Sequence, residues 1–142
     1  MQNQATLVTE FSTYTDWEKR YQRIINLGKA LPAMAESLKT EQNKVRGCQS
    51  QVWLHAQLEK DNVVYQADSD AMIVRGLAAL LVSVYSGHTP QEITASDSDF
   101  LTQIGLTSHL SQSRANGLAA MVRQFKNYAV AFDYAMKTNG PR

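Results

Sequence analysis

The sequence predicts an α+β fold: a small antiparallel sheet of about three strands packed against several helices. Three observations carry this reading. Residues 51–59 alternate apolar and polar, the period of a half-buried strand. A second β-rich run, Val63-Val64-Tyr65-Gln66-Ala67, follows the turn residues Lys60-Asp61-Asn62. On both sides of this ribbon, apolar residues recur with the helical period. A lone hairpin is marginal in water, so the ribbon has to lie on the helices.

The elements follow in order. Thr6 to about Phe11 reads as a short first helix. Thr15-Asp16-Trp17-Glu18 has the form of a capping box, with Trp17, Tyr21, Ile24, Ile25 and Gly28 sharing one face of the helix behind it. Leu31-Pro32 ends that helix, because a residue before proline is pushed out of the helical region. Met34 to Asn43 is polar and irregular. Val52, Leu54, Ala56 and Leu58 form the buried face of the long strand, and Asn43-Lys44-Val45 is placed to pair as a third. Asp68-Ser69-Asp70 is rich in capping residues. Behind it, Ile73, Leu77, Leu80, Leu81 and Val84 trace the stripe of a helix that is apolar nearly all round, so it is read as the central one. Gly87 lies past its end. Thr89-Pro90-Gln91-Glu92 is a second capping box, with proline in the first helical position. Asp97 or Ser98 opens a short helix that stops at Gly105. Ser111 or Ser113 opens the last long helix, whose stripe runs from Leu118 through Phe125 and Phe132 to Met136.

Composition excludes whole classes of function. The 142 residues suit one domain, 1–142, with a core of about 10–137 and a frayed tail at 138–142. Formal net charge is +1, and the 14 basic residues form no block, so no nucleic-acid partner is expected. No apolar run is long enough to span a membrane. The N-terminal residues lack the pattern of a secretory signal, so a cytoplasmic location is expected. One cysteine rules out an internal disulfide and a thiolate-rich zinc site. No metal site is expected.

That cysteine is the candidate site. Cys48 lies in Val45-Arg46-Gly47-Cys48-Gln49-Ser50-Gln51, a polar segment with a glycine hinge. Lys44 and Arg46 would favour the thiolate, which is the nucleophilic form. Gln49 and Ser50 can donate hydrogen bonds to it, and Gly47 lets the loop turn or swing. The plain alternative is a small apolar residue that happens to be cysteine. A dithiol oxidoreductase needs a resolving cysteine, which is missing. A thiol hydrolase would pair Cys48 with a histidine, and His55, His88 and His109 are the candidates, though none sits in a hydrolase motif. A single-thiol redox sensor, or an adaptor in which Cys48 is incidental, also stays open. A sulfur carrier gains from a lone thiol, because a second cysteine would attack a persulfide and close a disulfide.

The segment Asn43 to Trp53 resembles the sulfur-acceptor signature of the SufE family of cysteine-desulfuration proteins. Asp16-Trp17-Glu18 with Tyr21, Ile24, Ile25, Leu27, Gly28 and Leu31-Pro32 is similar to that family's first block. Asp68-Ser69-Asp70 with Ile73-Val74 and Gly76-Leu77 is similar to the start of its central helix. Leu110-Ser111 with Ser113-Arg114 and Gly117-Leu118 is similar to the start of its last. The resemblance covers roughly residues 10 to 125 in collinear order. It implies a fold shared with IscU-type scaffold proteins. It also implies a role in iron–sulfur cluster assembly: Cys48 takes sulfane sulfur from a SufS-type cysteine desulfurase, stimulates it, and passes sulfur to a SufB-containing scaffold complex (SufBCD). The chain is then a carrier and activator, not an enzyme. Pyridoxal phosphate belongs to the desulfurase, and this chain needs no cofactor. A homodimer is allowed. Arg46, Gly47, Gln49 and Ser50 support the loop. Asp70 matches an aspartate that influences how the loop is held, and Arg114 an arginine on the desulfurase-facing surface. Plain alternatives are a helix cap for Asp70 and a solvated charge for Arg114. Cys48 is expected to rest in a partly apolar pocket and to swing out around Gly47 on docking.

Overall fold

The alternating run folds as a strand, β1 (Val52–Glu59), in a computed structural model that describes residues 2–138. It pairs antiparallel with β2 (Asn62–Ser69), placing Val52 opposite Ser69 and Glu59 opposite Asn62. Val52, Leu54 and Ala56 are buried on one strand, and Val63, Tyr65 and Ala67 on the other. The expected third strand is only a single bridge. Lys44 pairs with Trp53, the Val45 N–H donates to the Val52 carbonyl at 2.8 Å, and the Leu54 N–H donates to the Asn43 carbonyl at 2.8 Å. A turn over residues 41–43 and the left-handed Gly47 (φ 93°) end the extended backbone too soon for a ladder. Among the described residues the sheet therefore has two strands.

Seven α-helices surround it among the described residues. α1 (Gln2–Ser12) is longer than expected, and its Leu7 and Phe11 enter the core, which therefore begins before residue 10. α2 (Trp17–Ala30) is capped by Asp16, whose Oδ1 accepts from the Lys19 N–H at 2.9 Å. The expected box at Thr15 is displaced by one residue. With Asp16 as the cap, the third helical residue is Lys19, which has no carboxylate to return the bond. After Pro32 a short 3-10 helix (Glu36–Leu38) leads into the loop before β1. α3 (Met72–Tyr85) is buried nearly all round, as its composition implies. α4 (Pro90–Ala95) has the expected capping box, with both reciprocal bonds to Thr89 present. α5 (Asp99–Gln103) stops before Gly105 (φ 90°), and a one-turn α6 (Leu106–His109) follows that the sequence pattern does not show. α7 (Gln112–Thr138) starts after Ser111, whose Oγ accepts from the Arg114 N–H at 3.3 Å. The tail expected over 138–142 lies outside the described residues beyond Thr138, the last residue of α7.

Two devices set α3 against its neighbours. The first is a close crossing of α2 and α3 at Gly28 and Gly76. The second is Asp68, 4% exposed at the end of β2. Its carboxylate accepts from the Ser69 N–H at 2.8 Å and the Met34 N–H at 3.4 Å, and pairs with Arg75 at 2.5 Å and Lys39 at 3.5 Å. Arg75 in turn donates to the Gly28 and Leu31 carbonyls at 2.8 and 2.6 Å, tying the end of α2 to α3. So Asp68 does not cap α3, as its place in Asp68-Ser69-Asp70 suggests. It is the acceptor of a buried clamp.

Burial alone would raise the Asp68 carboxyl, but the Ser69 amide and Arg75, then the Met34 amide and Lys39, outweigh it and hold it below the usual carboxylate range. A carboxyl depressed in the folded state stabilises above its unfolded pKa of about 3.9, and this is lost as pH falls through the folded value. Thermal melts from pH 7 downward should therefore show Asp68→Asn with a lower Tm at neutral pH and a shallower acid decline than wild type. The neutral-pH loss should be about 2–3 kcal/mol, below that of a fully buried pair because Arg75 stays 25% exposed. Parallel acid profiles would refute this account of the clamp.

Candidate functional site

Cys48 lies on the loop between the Lys44 bridge and β1, at the edge of a cavity of ≈ 390 Å³. Gly47 turns the loop towards α7, and a Cβ placed on it would meet the Ala120 Cβ at 3.3 Å. The next side chain points inward. The Cys48 thiol donates to the Gly117 carbonyl of α7 at 3.6 Å, and a Cβ on Gly117 would lie 3.5 Å from Sγ. Val74 and Leu77 of α3, with Met121 of α7, give the cavity apolar walls. Gln49, Ser50, Ser113 and Arg114 give it a polar rim. Cys48 is half-buried, so its sulfur is neither packed in hydrocarbon nor open to water.

Burial pushes the thiol above its ordinary pKa, against the opposing charge of Arg123 on α7. The expectation that Lys44 and Arg46 favour the anion is thus corrected. Lys44 is engaged with Glu41 at 2.8 Å, Arg46 is exposed, and the Cys48 thiol is turned onto the Gly117 carbonyl of α7. Burial in the cavity thus disfavours the thiolate, which is the nucleophilic form.

The C-terminal end of the loop is clasped at Gln51. Asp70 Oδ1 accepts from the Gln51 N–H at 3.1 Å, while the Asp70 N–H and the Ser69 hydroxyl donate to the Gln51 carbonyl at 3.3 and 2.8 Å. Asp70 is not the helix cap; Ala71 holds that position without a side-chain cap bond. Asp70→Ala removes one loop bond worth about 1 kcal/mol, so iodoacetamide should alkylate Cys48 roughly fivefold faster while the fold persists. An unchanged rate would mean that the clasp does not restrain the loop.

The structure brings Cys48, Gln49, Ser50 and Arg114 to one cavity. Arg46 and Gly47 line a second, smaller hollow of ≈ 270 Å³ along the same loop, which Cys48, Gln49 and Ser50 also line. The histidines lie elsewhere: among the described residues none lines the Cys48 cavity. His55 is on β1, His88 accepts from the Val63 N–H through its carbonyl at 2.8 Å, and His109 packs edge-on against Trp17. Among the described residues no group of three or more His, Cys, Asp or Glu is placed to hold a metal ion, and no helix is long and apolar enough to cross a membrane. Sequence reasoning missed three features of the site: Ser69 in the clasp, the Val74–Leu77 wall, and the contact of Cys48 with Gly117. For Gly117 a signal exists, since glycine inside a helical stretch is unfavourable and asks for a reason.

An α+β domain that presents one half-buried thiol on a glycine-hinged loop is the class defined by this fold and site. The family model for SufE, described as an Fe-S metabolism associated domain, matches residues 5–129. The chain is 44% identical over 128 residues to an uncharacterized SufE-like protein of Rhizobium meliloti (strain 1021), covering 87% of this chain and 91% of the relative. It is 44% identical over 130 residues to an uncharacterized SufE-like protein of Synechocystis sp. (strain ATCC 27184 / PCC 6803 / Kazusa), covering 92% and 82%. In fold it matches the solution structure of a hypothetical protein from Thermus thermophilus, with a TM-score of 0.77 at 20% identity over 92% of this chain and 95% of the other. The chain belongs to the SufE family, a family associated with Fe–S metabolism.

Proposed function

We propose that this protein is a sulfur acceptor and persulfide carrier in iron–sulfur cluster assembly. The observation that carries this reading is the setting of Cys48: a lone thiol, sheltered against α7 in an open cavity, on a loop with a glycine hinge at one end and a clasp at the other. The membership in the SufE family supports it. A cysteine hydrolase is disfavoured by the position of the histidines, none of which lines the cavity.

The donor is a SufS-type cysteine desulfurase carrying a persulfide on its own cysteine, with pyridoxal phosphate bound in that partner. Docking releases the loop, and outside the cavity Cys48 loses the burial that keeps it protonated. Its thiolate attacks the outer sulfur of the donor persulfide. A bond forms between Cys48 Sγ and that sulfur, and the donor S–S bond breaks. The donor cysteine leaves as a thiolate with the bonding pair, and the thiol proton passes to solvent. No external oxidant or reductant is needed. Emptying the donor cysteine raises the turnover of the desulfurase, so the chain acts as co-substrate and activator. The loop then folds back with its cargo until a SufB-containing scaffold complex takes the sulfur. Arg114, exposed at the rim, faces the partner in this reading, and the exchange takes place in the cytoplasm.

Intact-mass spectrometry after incubation with a SufS-type enzyme and cysteine tests this. The expected result is a gain of one sulfur atom on Cys48. A redox sensor would instead gain oxygen with peroxide and no sulfur from the desulfurase, and that outcome would end the carrier reading.

A further inference from the structure

A second groove, of ≈ 380 Å³, lies between α7 and the short helices α5 and α6. Its size is that of a small-molecule site. Buried Leu101, Leu106 and Leu118, with half-buried Val122, give it apolar walls. Two exposed charges also line it, Asp99 of α5 and Arg123 of α7. The Lys126 ammonium donates to the Ser96 carbonyl, which brings the start of α5, where Asp99 stands, to the turn of α7 that carries Arg123. Among the described residues, neither Asp99 nor Arg123 makes an ion pair, with the other or elsewhere. One end of an apolar groove thus offers an anion and a cation that the fold does not use. Two residues of the groove also belong to the surroundings of Cys48. Leu118 lines the Cys48 cavity as well, and Arg123 is the charge that opposes the effect of burial on the thiol.

We propose that this groove is a binding site for an α-amino acid with an apolar side chain, and that its occupancy lowers the reactivity of Cys48. An α-amino acid carries an ammonium and a carboxylate on one carbon, so it meets Asp99 and Arg123 together. Its side chain lies among the leucines and leaves water. An apolar acid without the ammonium would leave Asp99 facing a carboxylate, and an apolar amine would leave Arg123 facing an ammonium. The coupling to Cys48 runs through Arg123. Once its guanidinium is paired with the ligand carboxylate, it no longer offsets the burial of the thiol, and a smaller fraction of Cys48 is ionised. This goes beyond the carrier reading: the site does not depend on what Cys48 carries, and it is read on the protein alone.

The probe is L-leucine, titrated into isotope-labelled protein and followed by amide chemical shifts. Shifts should centre on Leu101, Leu106, Leu118 and Val122, with a Kd of about 1 mM, the scale of a ligand this small. Because each exposed charge contributes modestly, 4-methylpentanoate and 3-methylbutylamine should bind roughly fivefold more weakly, and Arg123→Gln or Asp99→Asn should weaken L-leucine by a similar factor. Glycine, which lacks the apolar part, should produce no shift at the groove. At constant pH, saturating L-leucine should slow alkylation of wild-type Cys48 by iodoacetamide roughly twofold, the scale of one screened charge, and leave Arg123→Gln unaffected. Absence of shifts at the groove would overturn the proposal. So would equal binding of the two analogues, which would make the groove a mere apolar surface. Binding with an unchanged alkylation rate would equally overturn it, since occupancy would then not reach Cys48. None of these measurements involves a desulfurase, so their failure is distinguishable from failure of sulfur transfer.

Discussion

Cys48→Ser is expected to gain no sulfur from a SufS-type desulfurase and cysteine, and to stimulate that enzyme not at all, with its thermal transition close to wild type. The chemistry is all-or-none. A hydroxyl is not ionised at neutral pH and forms no stable bond to sulfane sulfur, so no residual transfer is expected. The structural cost is small. Serine keeps a donor for the Gly117 carbonyl, and the position is half-buried at the cavity edge, not deep in the core. A loss of about 1 kcal/mol or less is the appropriate scale. The measurements are intact mass for acceptance, and alanine production by the desulfurase for stimulation. Full stimulation by Cys48→Ser would separate docking from transfer and refute the carrier role. Loss of acceptance with partial stimulation would leave docking as an additional activator and still assign the transfer to Cys48.

How much of this was legible in the chain depends on the range over which each residue acts. The hairpin and the Thr89 box rest on neighbours in sequence, and period and capping chemistry reveal them directly. The candidate cysteine loop was legible for the same reason, because its polar flanks and glycine are local. The errors fell where a distant element decides the outcome. Lys44 and Arg46 are close to Cys48 in sequence, but the loop turns its thiol towards α7, so the cation felt by the sulfur is Arg123. Asp68 and Asp70 look alike as capping residues. One is consumed by Arg75, Lys39 and the Met34 amide, and the other by Gln51, and neither pairing leaves a mark in local sequence. The third strand failed because Gly47, read as a hinge, also ends the strand.

Gly76→Ala should be the most destabilising of the small substitutions considered, and its effect should reach the site. An added Cβ would lie 2.3 Å from the Ile24 carbonyl oxygen and 2.8 Å from its carbon. These are backbone atoms of a helix, so no rotamer change relieves the clash. α2 and α3 must move apart, and with them go the packing of fully buried Ile24 and the bonds from Arg75 to the Gly28 and Leu31 carbonyls. Overpacking of this severity costs about 3–5 kcal/mol. For a chain of this size that corresponds to a fall in Tm of roughly 10–15 °C. Since α3 also carries Val74 and Leu77 of the cavity wall, a shift of this helix should loosen the seat of Cys48 and speed its alkylation in the folded protein. Gly117→Ala is the matched control: the same change, also within a helix, with a contact of 3.5 Å in place of 2.3 Å. Its Tm should hold or rise, because alanine favours the helix. If both variants melted alike, interhelical distance would not be what demands glycine at position 76, and the close crossing would lose its role in setting α3 beneath the Cys48 loop.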